Sequence, residues 1–382
     1  MPKPTLELPD RPNILWLVAE DLGPYISPFG DSTAYTPNLD RLAAQGVCFD
    51  NFYSPSGVCA PSRAAIATGM YPTRIGANHM RTGPWYAGDV PEDRIREYTA
   101  RALPAGLTSY DAIPPPEVKM MSEVLRRAGY YCTNNAKQDY QFRKPVTAWD
   151  ESSKEAHWRK RAPGQPFFSV FNFEVTHESR IWNKAEDSLW IDPSKPIPIP
   201  PYLPDTEVGQ KDVRRMYSNI MEMDHQVGEV LDQLEEDGEL ENTIIFWYTD
   251  HGGPLPRMKR LLYDSGIKVP MIIRFPGEQM AGTRNDDLLS FIDFAPTVMS
   301  LAGINPPVYL DGQAFLGDYQ AEEKRKYIHA AADRFDETYD TNRAVRDKQY
   351  KYIRYYQTDL PMFLHVDYRD QMAIMQELYR LR

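Results

Sequence analysis

Cysteine is scarce in this chain. Cys48, Cys59 and Cys132 are the only three among 382 residues, too few for a disulfide framework. That scarcity suits a reducing compartment or a fold that needs no covalent staples. Long apolar runs are missing as well: the longest early one, Ile14 to Ala19, is too short to span a bilayer and lacks the flanks of a secretion signal. As written, the chain reads as cytoplasmic, or as periplasmic or secreted if a signal has been removed, with no membrane partner. An excess of positive charge is absent too. The formal net charge of −11 argues against nucleic-acid binding and offers no long-range pull on an anionic polymer, so an anionic ligand would need a local basic pocket. Neither internal repeats nor low-complexity segments occur. The one biased stretch has prolines at 193, 196, 198, 200, 201 and 204 and reads as an extended surface loop.

What is present is an ordinary soluble composition, 42% hydrophobic and 25% charged, in a chain long enough to bury a substantial core. Asn13 to Ala19, Phe167 to Phe173 and Thr243 to Thr249 are mostly apolar and read as strands buried on both faces. Val269 to Phe275 and Tyr327 to Ala331 extend the series. Helical spacing marks Pro37 to Gln45, Glu117 to Ala128, about Phe294 to Ala302 and, most clearly, Gln210 to Glu236. Asp224 and His225 within that last helix read as solvated or locally paired. Tyr130 to Thr133 is a further strand, and Arg343 to Tyr356 reads as an antiparallel pair turning near Asp347-Lys348. The class is α/β, with a catalytic α/β domain expected over 1–325 and a smaller α+β subdomain over 326–382. The irregular segment from Gly76 to Pro116 has no sustained period, which suits a binding loop.

Two distant strands end alike. Ile14 to Ala19 runs into Glu20-Asp21, and Thr243 to Thr249 into Asp250-His251. Acids there stand at the carboxyl ends of strands, where open α/β sheets place ligands. Carboxylates from Glu20, Asp21 and Asp250 suit a hard divalent cation, calcium first and magnesium next. A nitrogen from His251 keeps manganese or zinc open.

The stretch these strands serve is Ser56 to Gly69, where Cys59 precedes a helix with Pro61 in its first turn and Gly69 to close it. Cys59 would lie where free N–H groups and the positive end of the helix dipole favour an anion, with Arg63 close by. Cys59-Ala60-Pro61-Ser62-Arg63 followed by Thr68-Gly69-Met70-Tyr71-Pro72-Thr73-Arg74 resembles the signature of the type I sulfatases of the alkaline-phosphatase superfamily. The resemblance implies an alkaline-phosphatase-like fold: a large, mostly parallel sheet flanked by helices, with a small C-terminal antiparallel sheet that this chain would truncate. It implies that a formylglycine-generating enzyme converts Cys59 to formylglycine. The hydrated aldehyde then attacks sulfur and releases sulfate by reforming the carbonyl.

The resemblance extends to other positions. Asp21, Asp250, His251, Glu20 and Cys59 correspond to the metal site, although Glu20 stands where the family has aspartate. Lys137 occupies the place of a sulfate-binding lysine, with Asp139 where a histidine is usual. His177, after the Phe167 to Phe173 strand, resembles the histidine that contacts sulfate or protonates the leaving group, a role its near-neutral pKa would permit. Lys259 resembles a second sulfate-binding lysine. Gly252 to Arg257 is similar to the heparan N-sulfatase branch, which cleaves sulfamate. The implied activity is hydrolysis of a sulfate ester or sulfamate on a carbohydrate, catalysed by Cys59, Arg63, Lys137, His177 and Lys259. A phosphodiesterase or phosphonate monoester hydrolase of the same superfamily, and a non-catalytic sugar-binding relative, are the alternatives. Specificity would reside in the Gly76 to Pro116 segment and the proline-rich loop.

Overall fold

A computed structural model describes residues 6–82, 110–360 and 364–382, with positions 91, 93, 97, 103, 106 and 107 between them. The irregular segment from Gly76 to Pro116 thus lies partly outside the described residues. The main sheet has nine strands. In chain order they are β1 (Asn13–Ala19), β2 (Val47–Tyr53), β3 (Tyr131–Asn135), β4 (Glu151–Ser152), β5 (Phe167–Phe173), β6 (Thr243–Thr249), β7 (Lys268–Arg274), β8 (Thr283–Asn285) and β9 (Leu289–Ser290). Their spatial order is β4-β3-β5-β1-β6-β7-β2-β8, with β9 also on β2. From β4 to β6 every pairing is parallel, while β7 runs antiparallel to both β6 and β2.

All seven residues of β1 are buried, as its apolar run requires of a strand covered on both faces. Alternation splits it. Trp16 and Val18 face one core, shared with Phe168, Phe246, Tyr248 and Phe294. Leu15 and Leu17 face the other, shared with Ile245, Trp247 and one side of a long helix. The helices that cover these faces are α1 (Pro37–Gln45), α2 (Cys59–Thr68), α3 (Met121–Arg127), α4 (Glu207–Glu236) and α5 (Phe294–Leu301). The Glu117 to Ala128 helix begins later than its periodicity suggests, and the strand after it runs on to Asn135. A chain reversal at Ala128 and Gly129 separates them, with Gly129 at φ +89°.

Two readings need correction. Asp224 is buried, not solvated: from α4 its carboxylate accepts the N–H groups of Asn38 at 3.2 Å and Leu39 at 2.9 Å, so it caps the start of α1 from another helix. His225 is exposed beside Glu229, as read. The strand expected at Tyr327 to Ala331 is β10 (Ile328–Phe335), which belongs to a separate antiparallel sheet with β11 (Thr338–Arg346) and β12 (Lys351–Tyr355). In the β11–β12 turn the Asp347 carboxylate accepts the N–H of Gln349 and Tyr350. Two residues, Asp336 and Glu337, turn β10 into β11, with Asp336 at φ +47°. The small sheet packs through Ile328, Ala330, Ala332 and Phe335 against Val58 and Ala60, directly behind the cysteine motif. A last helix, α6 (Ala373–Leu381), packs on α4, where Asp212 accepts the N–H of Ile374 at 2.7 Å.

Candidate active site

Register brings the chemistry together. Ala19 at the end of β1 pairs with both Phe173 of β5 and Thr249 of β6. Glu20-Asp21, Glu174 to Glu178 and Asp250-His251 therefore leave the sheet at one edge. Cys59 is the first residue of α2, all ten of whose residues are buried. Gly69 closes the helix at φ +69°, its N–H donating to Ala65 at 2.9 Å. Ser62 ties the helix to the sheet edge by donating to the Asp250 carbonyl. Gly57 is needed for close approach, since a Cβ there would stand 2.7 Å from the Leu261 carbonyl. The Gly57 carbonyl in turn accepts the Arg260 N–H at 2.6 Å, which sets the 259–261 segment against the cysteine.

The Cys59 thiol lies 3.3 Å from His251 Nε2 and 3.8 Å from Asp21 Oδ1. His251 Nε2 is 3.0 Å from Asp21 Oδ1 and 3.7 Å from Asp250 Oδ1. The ligating atoms of Asp21, Cys59, Asp250 and His251 all fall within 4.8 Å of one another, and all four residues are buried. His251 Nδ1 stands 3.0 Å from the Gly252 carbonyl. Donation there leaves Nε2 as the atom directed at the cluster, a common way of orienting a metal-ligating histidine. This donor set fits a divalent cation. Burial acts to lower the pKa of His251, but Asp250 and Asp21 outweigh it and push the imidazole up to about 10. Burial likewise acts against ionisation of Asp21, yet Lys259 and His251 hold its carboxyl well below the usual range.

Glu20, expected among the ligands, is not in this cluster. Its carboxylate reaches Lys137 at 2.7 Å and Arg63 at 3.3 Å. Burial raises its pKa, and those two cations offset part of the rise. Arg63 spans three partners, with Nε donating to Asp250 at 3.0 Å and the other nitrogens reaching Asn172 at 2.7 Å and Glu20. Lys137 also lies 3.5 Å from Asp139, which Arg81 meets at 3.1 Å on its other side. Asp139 thus stands between two cations, in left-handed backbone at φ +53°.

Lys259 Nζ contacts Asp21 at 2.6 Å, Glu178 at 3.1 Å and His177 Nε2 at 3.3 Å. Glu178 was not foreseen. It receives a two-pronged bond from Arg260, 2.8 Å on each side, and its N–H donates to Asp21 at 2.7 Å. Arg260 was also missed, although both residues adjoin positions already singled out, His177 and Lys259. The near-neutral pKa expected of His177 does not hold. Burial, reinforced by the Lys259 ammonium, drives it down to about 3, so the ring is neutral and can donate or accept only as imidazole.

A strand-edge cluster of acids, histidine and thiol on a doubly covered, mostly parallel sheet defines the alkaline-phosphatase-like α/β class. The sulfatase family model matches residues 12–163 and 149–304, and a model described as N-sulphoglucosamine sulphohydrolase, C-terminal, matches residues 257–381. An ulvan-active sulfatase of Formosa agariphila is 54% identical over an alignment of 411 positions, covering 99% of this chain and 66% of that protein. Human N-acetylgalactosamine-6-sulfatase is 27% identical over 350, covering 78% and 63%. The chain therefore spans about two thirds of the length of these relatives. A structure solved in complex with its substrate D-glucosamine-2-N,6-O-disulfate superposes with a TM-score of 0.67 at 17% identity, covering 97% of this chain and 96% of that one. A phosphonate monoester hydrolase from Silicibacter pomeroyi gives 0.65 at 18%, covering 97% and 94%. The chain belongs to the sulfatase family.

Proposed function

We propose that this protein hydrolyses a sulfate ester on a sulfated polysaccharide of the ulvan type. One observation carries the reading: the Cys59 thiol opens a buried helix within 4 Å of both His251 and Asp21, inside a ring of lysine, arginine and histidine. The 54% identity to an ulvan-active sulfatase supports the polysaccharide.

Cys59, converted to formylglycine by a formylglycine-generating enzyme, would supply a hydrated aldehyde as the nucleophile at sulfur. A divalent cation held by Asp21, Asp250, His251 and residue 59, calcium first by its oxygen donors, would supply Lewis acidity toward a sulfate oxygen. The chain's own residues do the rest. Arg63 fixes the Asp250 carboxylate and, through Asn172 and Glu20, its own guanidinium plane. Lys259 and Lys137 are cations whose charge is secured by buried acids, so they can meet sulfate oxygens as negative charge grows on them. His177 presents a neutral ring whose Nδ1 is engaged by Ser179 at 2.8 Å and whose Nε2 lies 3.3 Å from Lys259 Nζ, where it would assist the leaving group. Water cleaves the S–O bond overall, leaving the sugar hydroxyl, inorganic sulfate and a proton.

The test is release of inorganic sulfate from ulvan oligosaccharides, 4-nitrophenyl sulfate and N-sulfoglucosamine by wild type and Cys59→Ala, with a matched aryl phosphonate alongside. The expected result is release from ulvan, lost in Cys59→Ala, and intact-mass evidence of formylglycine in protein from a host able to form it. Equal rates for the two proteins would remove Cys59 from the chemistry. A higher kcat/KM on the phosphonate would reassign the activity.

A further inference from the structure

A cavity of about 500 Å3 opens beside Lys259 and His177, room for a sugar ring with its sulfate. Its far lining comes from the small sheet and the C-terminal loop. The β10–β11 turn contributes Asp336 and Glu337, and the loop contributes Asp367 and Tyr368. Tyr368 meets Trp182 edge to face at 5.3 Å, an aromatic surface of the kind that packs on the C–H face of a sugar.

The charges on this lining are not balanced. Asp336 is matched by Arg260 at 3.5 Å. Glu337 accepts the Asp367 N–H at 2.7 Å, and among the described residues neither Glu337 nor Asp367 has a cation within ion-pair distance. Burial first, and Asp336 and Asp367 after it, raise the Glu337 carboxyl above its ordinary pKa. Carboxylate oxygens so placed accept strongly from hydroxyls and repel anions. The cations on this lining are already engaged, Lys259 by Asp21 and Glu178, Arg260 by Glu178 and Asp336, and Arg81 by Asp139 at 3.1 Å. They suit one sulfate and leave no surplus for a second.

We propose that this cavity selects a sugar carrying the scissile sulfate and otherwise only uncharged groups, with Glu337 and Asp367 accepting ring hydroxyls and rejecting a second sulfate or a carboxylate on the same ring. The proposal rests on the sulfatase reading and adds specificity by repulsion, which discriminates without tightening the correct complex. It separates this chain from the neighbour solved with a disulfated glucosamine.

The experiment is competition by matched sugars against sulfate release from 4-nitrophenyl sulfate or ulvan oligosaccharides, whichever is turned over. N-acetylglucosamine-6-sulfate is set against glucosamine-2-N,6-O-disulfate, and a galactose monosulfate against the corresponding disulfate. In wild type the singly charged member should compete about tenfold or more tightly. Glu337→Gln and Asp367→Asn, each nearly isosteric, should each shrink that ratio about threefold or more. A ratio between two sugars is insensitive to a general loss of activity. Equal or tighter binding of the disulfated members, no competition by any sugar, or unchanged ratios in both variants would overturn the proposal. A wild type that releases sulfate from neither substrate would instead overturn the sulfatase reading.

Discussion

Replacing Glu178 with glutamine removes one charge from a buried acid that two cations pair. Its carboxylate is 1% exposed and meets Arg260 through two 2.8 Å bonds and Lys259 at 3.1 Å. Burial alone would raise its pKa; Arg260 and Lys259 bring it instead from 4.5 to about 2. At about 1.36 kcal/mol for each pH unit, that difference amounts to about 3 kcal/mol of stability at neutral pH. Breaking a buried pair from one side costs about 3–5 kcal/mol by a separate line of reasoning, because the partner cation is left uncompensated. Glu178→Gln should therefore lose about 3 kcal/mol in urea unfolding at pH 7, followed by tryptophan fluorescence. Glu178→Asp, which keeps the charge but shortens its reach, should lose about half as much. The sign with pH follows from a depressed carboxylate. Its contribution is complete above 4.5 and disappears as pH falls toward 2, so the gap between wild type and Glu178→Gln should close over that interval. A gap under about 1 kcal/mol at pH 7, or one that stays constant into acid, would refute the assignment of Glu178 as the counter-ion that secures Arg260 and Lys259.

Three other outcomes follow from the same geometry. Arg63→Lys keeps the charge but cannot span Asp250, Asn172 and Glu20 at once, so kcat for sulfate release should fall about 100-fold with a smaller change in KM; a fall under about fivefold would show that the planar fork is not needed. Metal binding at Asp21, Asp250 and His251 should release about one proton per ion at pH 7.5, because His251 sits at about 10 without the ion and must be neutral to ligate. Titration calorimetry in buffers of different ionisation enthalpy reads that number, and a value near zero would exclude His251 as a ligand. His177, held near 3, stays neutral across the ordinary pH range, so wild type and His177→Gln should differ in the height of kcat/KM but not in its shape between pH 5 and 8. A limb near 6.5 that vanishes in the variant would contradict this.

The central strands were legible because their environment leaves a simple trace: the apolar runs Ile14 to Ala19 in β1 and Ile244 to Tyr248 in β6 mean cover on both faces, and the acids after these strands mark the carboxyl edge. Cys59 was legible for a local reason, a short helix whose start is written into Pro61 and whose end is written into Gly69. β2 was not, because Asp50 and Asn51 interrupt its apolar run where its pairing with β7 shifts register. The partners of buried charges were equally hidden. An acid inside a helix looks solvated whether or not another helix ends against it, which is how Asp224 was misread. Glu178 and Arg260 adjoin nominated residues, yet they face each other through tertiary contacts such as the approach of Gly57 to the 260–261 backbone, which leave no trace in the order of residues. Glu20 is the sharpest case. That it stands where the family has aspartate could be read directly from the chain, but nothing in the order of residues gives the direction in which its extra methylene is used. The register of β1 with β5 and β6 aims it at Lys137 and Arg63. There it stands between two cations that would otherwise repel each other at the edge of the site, and Asp21 and Asp250 are the carboxylates that cluster with Cys59 and His251.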